Sequence, residues 1–118
     1  MNSPDAPRGE FADRYIEANF AKTLSQRVIS MQGSGLIPNY EASMTKLFST
    51  EFRQRIARKE TKLLGRYGDL RDREYEASPQ RGRWATMYLS SVSATLAGGT
   101  AEIQRNVIAT QGLGLPRG

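Results

Sequence analysis

The chain contains no cysteine and no histidine. Without cysteine there is no disulfide, no thiolate nucleophile and no sulfur ligand for a metal. That absence accords with a reducing compartment. Without histidine the chain lacks the usual general base near neutral pH and the commonest metal ligand. A Ser-His-Asp hydrolase and a His-ligated zinc centre are both excluded within it, and no metal site is expected. Acid or base chemistry has to come from carboxylates, tyrosine or lysine. Long apolar runs are missing too, and nothing approaches the ~20 apolar residues of a membrane span. The N-terminal MNSPDAPRGE has no basic start and no apolar stretch, so it does not read as a secretion signal. The expectation is a cytoplasmic protein.

What remains is ordinary in bulk. The chain has 118 residues, 38% hydrophobic and 25% charged, enough for one domain with a core. Its net charge of +5 suits an anionic partner, whether nucleic acid, an acidic membrane or a phosphate-rich small molecule.

The apolar residues recur at helical spacing. Residues 1–9, with two prolines and a glycine, read as a disordered lead-in to a domain over 10–118. Phe11, Tyr15 and Ala18, and then Ile16, Phe20, Leu24, Val28 and Met31, predict a helix over 10–32. Gly33, Gly35 and Pro38 end it. Asn39 is a good N-cap for a second helix, with Glu41 in its first turn. Met44, Leu47, Phe48, Phe52, Ile56 and Leu63 form its apolar stripe, and Gly65 is a natural stop. Residues 66–82 read as a polar loop, in which Ser78-Pro79 fits an N-cap followed by proline at the first helical position. A third helix carries Trp84, Tyr88, Val92 and Leu96 at intervals of four, and its second half, SSVSATLA, is built of small residues. Gly98-Gly99 stops it. Thr100 caps a short fourth helix, with Glu102 in its first turn and Ile103, Val107 and Ile108 facing inward. No strand and no repeat is predicted. Single-striped helices must pack on one another, so the expectation is an all-α, antiparallel four-helix bundle.

The last third of the chain carries a resemblance. Residues 97–106, Ala-Gly-Gly-Thr-Ala-Glu-Ile-Gln-Arg-Asn, and residues 113–117, Leu-Gly-Leu-Pro-Arg, resemble the closing helices of the acyl-CoA dehydrogenases. Glu41-Ala-Ser-Met-Thr-Lys-Leu-Phe48 is similar to the start of that family's second bundle helix, and Lys62-Leu-Leu-Gly-Arg-Tyr-Gly68 to the turn after it. The resemblance implies the family's C-terminal helical bundle, an FAD cofactor, an acyl-CoA substrate and a role in fatty acid metabolism. It implies a homo-oligomer, or a heteromer with another dehydrogenase chain.

The resemblance also distributes roles. Thr100 and Glu102 match positions that contact FAD; read from the residues alone, Thr100 is a plain helix cap. Lys62, Gly65 and Arg66 match a turn that touches the FAD of a neighbouring subunit. That turn departs from the family's Gln-x-x-Gly-Gly, because Lys62 replaces glutamine and Arg66 replaces the second glycine. Gly98 and Gly99 match the substrate side of the corner. Gly98 occupies the place of the family's catalytic glutamate, so no catalytic residue is assigned. A subset of the family keeps glycine there and takes its carboxylate from an earlier helix. The family's N-terminal helical domain and middle β-domain do not fit within 118 residues beside this bundle.

Two other functions stay open at this point. One is a degenerate, non-catalytic subunit that partners a catalytic dehydrogenase. The other, a nucleic-acid-binding bundle, rests only on charge. The basic cluster of Arg53, Arg55, Arg58, Lys59, Lys62, Arg66, Arg71 and Arg73 is interleaved with Glu51, Glu60, Asp69, Asp72, Glu74 and Glu76. Mixed signs at this spacing read first as a solvated helix face. Trp84 and Tyr88 read as core residues rather than a stacking platform.

Overall fold

The computed structural model describes residues 6–72, 74–76 and 78–117, the side chains of residues 6 and 7 apart. Within them lie four α-helices and no strand: α1 (Ala6–Gly33), α2 (Tyr40–Leu64), α3 (Arg83–Leu96) and α4 (Ala101–Val107). Two 3-10 turns, Gly65–Asp69 and Pro79–Gly82, link α2 to α3, and a π-helical turn, Ile108–Gly112, continues α4. The all-α, four-helix expectation holds. No helix is long and apolar enough to cross a membrane among the described residues.

Helix boundaries follow the local chemistry, with one correction at the start. Residues 1–5 of the expected lead-in lie outside the described residues, but residues 6–9 are the first turn of α1. A proline at position 7 is no obstacle there, because the first turn leaves its N–H groups unbonded in any case. At the other end Gly35 adopts φ +75°, the Leu36 N–H donates to the Met31 carbonyl at 2.9 Å, and the Gly35 N–H donates to that of Gln32 at 3.1 Å. This pair of bonds closes a helix through a left-handed glycine. The Asn39 carbonyl accepts the Ser43 N–H at 3.3 Å, the first bond of α2. Gly65, at φ +54°, turns the chain out of α2.

The residues form two compact units. The first comprises the chain up to Phe48 and from Gln104 onward. In it the Phe20 and Phe48 rings meet edge to face, with centroids 4.8 Å apart. Gly112 lies against the Tyr40 ring so closely that a Cβ would sit 3.2 Å from it.

The second unit is Ser49–Ile103. Here the linker between α2 and α3 is more ordered than a polar loop. Its two 3-10 turns pack on each other and on α3. Ser78 and Pro79 take the expected cap and first positions, but of a 3-10 turn rather than of α3, and the Ser78 side chain makes no capping bond. Ser78 precedes the 3-10 turn that starts at Pro79, and its buried hydroxyl donates to the Leu70 carbonyl at 3.2 Å. Helix α3 starts four residues later, after Gly82. Gln80 (φ 48°) and Arg81 (φ 56°) are left-handed without being glycine, and Gly82 follows at φ +69°. Among the described residues of this unit, Ala57, at 0% exposure, and Ala85 are the buried apolar ones, and Ser91 is fully buried as well.

The apolar stripes are only partly covered. Phe11, Tyr15, Ile16, Leu63, Val92 and Leu96 are exposed. Ile103, expected to face inward, is 53% exposed. Trp84 and Tyr88, expected in the core, are half-buried. Helical spacing identifies an apolar face but not the surface that covers it. On the charged face of α2, Arg55 pairs with Glu51 at 3.9 Å, a partly exposed pair of small energetic weight. Arg53, Arg58, Lys62, Arg66 and Arg71 are exposed, in keeping with a solvated face, and Arg73 lies outside the described residues.

Candidate functional site

The junction between α3 and α4 collects four of the expected site residues. Leaving α3, Ala97 turns extended, and its N–H donates to the Ser93 carbonyl at 3.1 Å. Gly98 (φ 68°) and Gly99 (φ 96°) then reverse the chain through left-handed conformations that other residues rarely adopt. Thr100 is half-buried, and its Oγ1 accepts the Ile103 N–H at 3.4 Å. That long bond is the capping contact expected of threonine ahead of a helix. Glu102 stands exposed in the first turn of α4.

The small residues before this corner form a low surface. The hydroxyls of Ser90, Ser91 and Thr95 turn back onto the carbonyls three residues earlier, at 3.1, 2.6 and 2.6 Å. The polarity of these three is spent within the helix, and the second half of α3 offers short side chains, with Ser93 exposed among them. A Cβ added at Gly98 would meet nothing within 4 Å, so the space beside the turn is open.

Lys62, Gly65 and Arg66 are brought together elsewhere. Lys62 is in the last turn of α2, Gly65 makes the break, and Arg66 lies in the following 3-10 turn; all three are exposed. This turn packs beside the Pro79–Gly82 turn that leads directly into α3. It therefore sits at the start of α3, whereas Gly98–Thr100 sits at the end. A helix of 14 residues separates those two ends by about 20 Å. Within one copy of this chain the two groups do not form one site.

The sequence reasoning missed a groove on the second unit, lined by Gln80, Arg81, Arg83, Thr86, Met87, Ser90 and Glu74. Only Gly82, just ahead of a helix, hinted at a special turn. Left-handed glutamine and arginine carry no sequence signal.

An all-α domain whose last two helices meet at a double-glycine, threonine-capped corner is a definite class of structure. The chain matches the family model described as the acyl-CoA dehydrogenase C-terminal domain over residues 3–113. It belongs to the acyl-CoA dehydrogenase family. It is 38% identical over 77 residues to acyl-CoA dehydrogenase FadE26 of Mycobacterium tuberculosis, an alignment covering 65% of this chain and 19% of that protein. Among solved structures, the Tcur3481-Tcur3483 steroid ACAD superposes with a TM-score of 0.87 at 26% identity, covering 99% of this chain and 30% of that one. The ChsE4-ChsE5 complex of Mycobacterium tuberculosis superposes with a TM-score of 0.78 at 30% identity, covering 88% and 26%. The chain thus spans about a third or less of the relatives it matches.

Proposed function

We propose that this chain supplies the C-terminal domain of an FAD-dependent acyl-CoA dehydrogenase, which introduces an α,β double bond into an acyl-CoA thioester, and that it contributes to the FAD site and the oligomer interface. The observation that carries this reading is the corner at residues 97–100. A turn of two left-handed glycines opens beside a helix in which the Ser90, Ser91 and Thr95 hydroxyls bond back to the helix's own carbonyls. Such a surface suits the close approach of a flat ring, and the residues present fit the group. Thr100 would hold the cofactor edge, with Glu102 beside it, and Gly98 and Gly99 would leave room for the thioester. In such enzymes FAD accepts a hydride from the β carbon while a carboxylate removes the α proton. The residues of this chain position and exclude water; none of those at the corner matches the family's base, because Gly98 has no side chain to take a proton. The distance between the corner and the Lys62–Arg66 turn supports a division of labour. One end of α3 would serve the copy's own cofactor, and the other that of a neighbouring subunit.

The test is Thr100→Val in the complete dehydrogenase assembly, read as the ratio of bound flavin to protein after gel filtration. We expect FAD retention to fall several-fold while Thr100→Ser retains it, since serine keeps the hydroxyl that valine lacks. Equal flavin content in the two variants removes Thr100 from the cofactor site.

A second reading has its own observations. Gly98 offers no carboxylate, and Lys62 and Arg66 depart from the family's turn. The similar structures include the two-component ChsE4-ChsE5 complex. A non-catalytic subunit that completes and stabilises a catalytic dehydrogenase chain fits these features. Native mass spectrometry of the assembly separates the readings, because this one requires a second, different dehydrogenase chain.

A further inference from the structure

We propose that the groove along the first two turns of α3 binds a hydroxylated phosphomonoester of sugar-phosphate type, with the phosphate held between Arg81 and Arg83. The groove has a volume of about 620 Å³, within the usual range for small-molecule sites and far more than an ion needs. Arg83, Thr86, Met87 and Ser90 recur at three- and four-residue spacing, so one face of α3 forms its floor. Gln80 and Arg81 form its end wall from consecutive left-handed positions. Strained backbone of this kind persists where the surroundings over-determine it. Here Gly82 is wedged against the Arg71 backbone, where a Cβ would lie 2.5 Å from the carbonyl oxygen. The turn thus presents Arg81 from a fixed position.

The groove's chemistry selects the ligand class. Neither Arg81 nor Arg83 has an ion-pair partner among the described residues. Two guanidinium groups in one groove are a fork suited to the oxygens of a phosphate. The Thr86 hydroxyl adds a donor, whereas that of Ser90 is already spent on the Met87 carbonyl. Glu74 brings a carboxylate to the same lining, and a bare anion gains nothing from it. A ligand with hydroxyl donors on its body satisfies Glu74 while its phosphate meets the arginines. Met87 supplies an apolar, adaptable contact for the carbon skeleton. This proposal stands apart from the flavin contact at Thr100, which lies at the other end of α3. The groove lies beside the start of α3, about 20 Å along the helix from Gly98.

Calorimetric titration of the full chain with ribose 5-phosphate, inorganic phosphate and ribose tests it. Saturable binding of ribose 5-phosphate is expected, weakened about tenfold or more in the Arg81→Gln/Arg83→Gln variant, since charged hydrogen bonds are lost. Glu74→Gln should weaken ribose 5-phosphate but not inorganic phosphate. Arg53→Gln/Arg58→Gln, with the same loss of charge on the exposed face of α2, should leave binding unchanged. Coenzyme A, itself a ribose phosphomonoester, distinguishes the sources. Competition assigns the groove to the acyl-CoA substrate, and its absence assigns it to a separate metabolite. No saturation, or equal weakening by the Arg81/Arg83 and Arg53/Arg58 variants, overturns the proposal.

Discussion

Gly82→Ala should destabilise the second unit by about 2–5 kcal/mol, the sum of a left-handed φ penalty and a backbone collision. The residue sits at φ +69° immediately before α3. A methyl group there would lie 2.5 Å from the Arg71 carbonyl oxygen, 2.7 Å from its carbon and 2.8 Å from its Cα. None of these atoms belongs to a side chain that can swing away, so the chain near Arg71 or the start of α3 has to shift. That shift disturbs the packing of the two 3-10 turns and the Ser78 to Leu70 bond that ties them. Gly98→Ala is the control. It has nearly the same φ, 68°, but nothing within 4 Å of the added carbon. It should cost only about 1–2 kcal/mol, the conformational term alone. Urea denaturation of the three proteins decides the matter. Equal losses in the two variants would mean that the contact with Arg71 has no energetic weight.

Ala57→Asp is expected to be as damaging or worse, at about 3 kcal/mol or more, because it places a carboxylate where water does not reach. Ala57 is 0% exposed, and its carbonyl already accepts the Thr61 hydroxyl at 2.8 Å. An aspartate there must either remain charged without hydration or take up a proton, and both routes oppose folding. Typical domains are stable by only about 5–15 kcal/mol, so a loss of this size is a large share of the total. Ala57→Ser, of similar volume but neutral, should cost about 1 kcal/mol, because a hydroxyl can bond back to its own helix. Thermal melts followed by circular dichroism measure both. An Ala57→Asp protein that melts with the parent would show that the site is open to water in solution.

The helices were legible because their signals are local. Apolar spacing marked all four, and glycine at 35 and 65 and threonine at 100 marked their ends through backbone preferences that need no tertiary information. The corner at residues 97–100 was legible for the same reason, since two glycines before a capping threonine specify a turn. The start of α1 was misjudged because the proline and glycine near it are tolerated in a first turn. The groove at Arg81 and Arg83 was invisible. Nothing in Gln80-Arg81 announces a left-handed backbone; the turn that carries it ends at Gly82, which lies against the Arg71 backbone, eleven positions away in the chain.

The sequence by itself therefore determined the helical class, the four helices and the ends marked by Gly35, Gly65 and Thr100, the family, and the absence of cysteine, histidine and a side-chain base at residue 98. These follow from composition and from interactions that span one or two turns. Only the tertiary structure decided which apolar residues stay exposed, that the Lys62–Arg66 turn and the Gly98–Thr100 corner lie at opposite ends of α3, and that Arg81 and Arg83 line one groove. Such facts depend on contacts between residues far apart in sequence, where side-chain spacing along one helix carries no information about what packs against it.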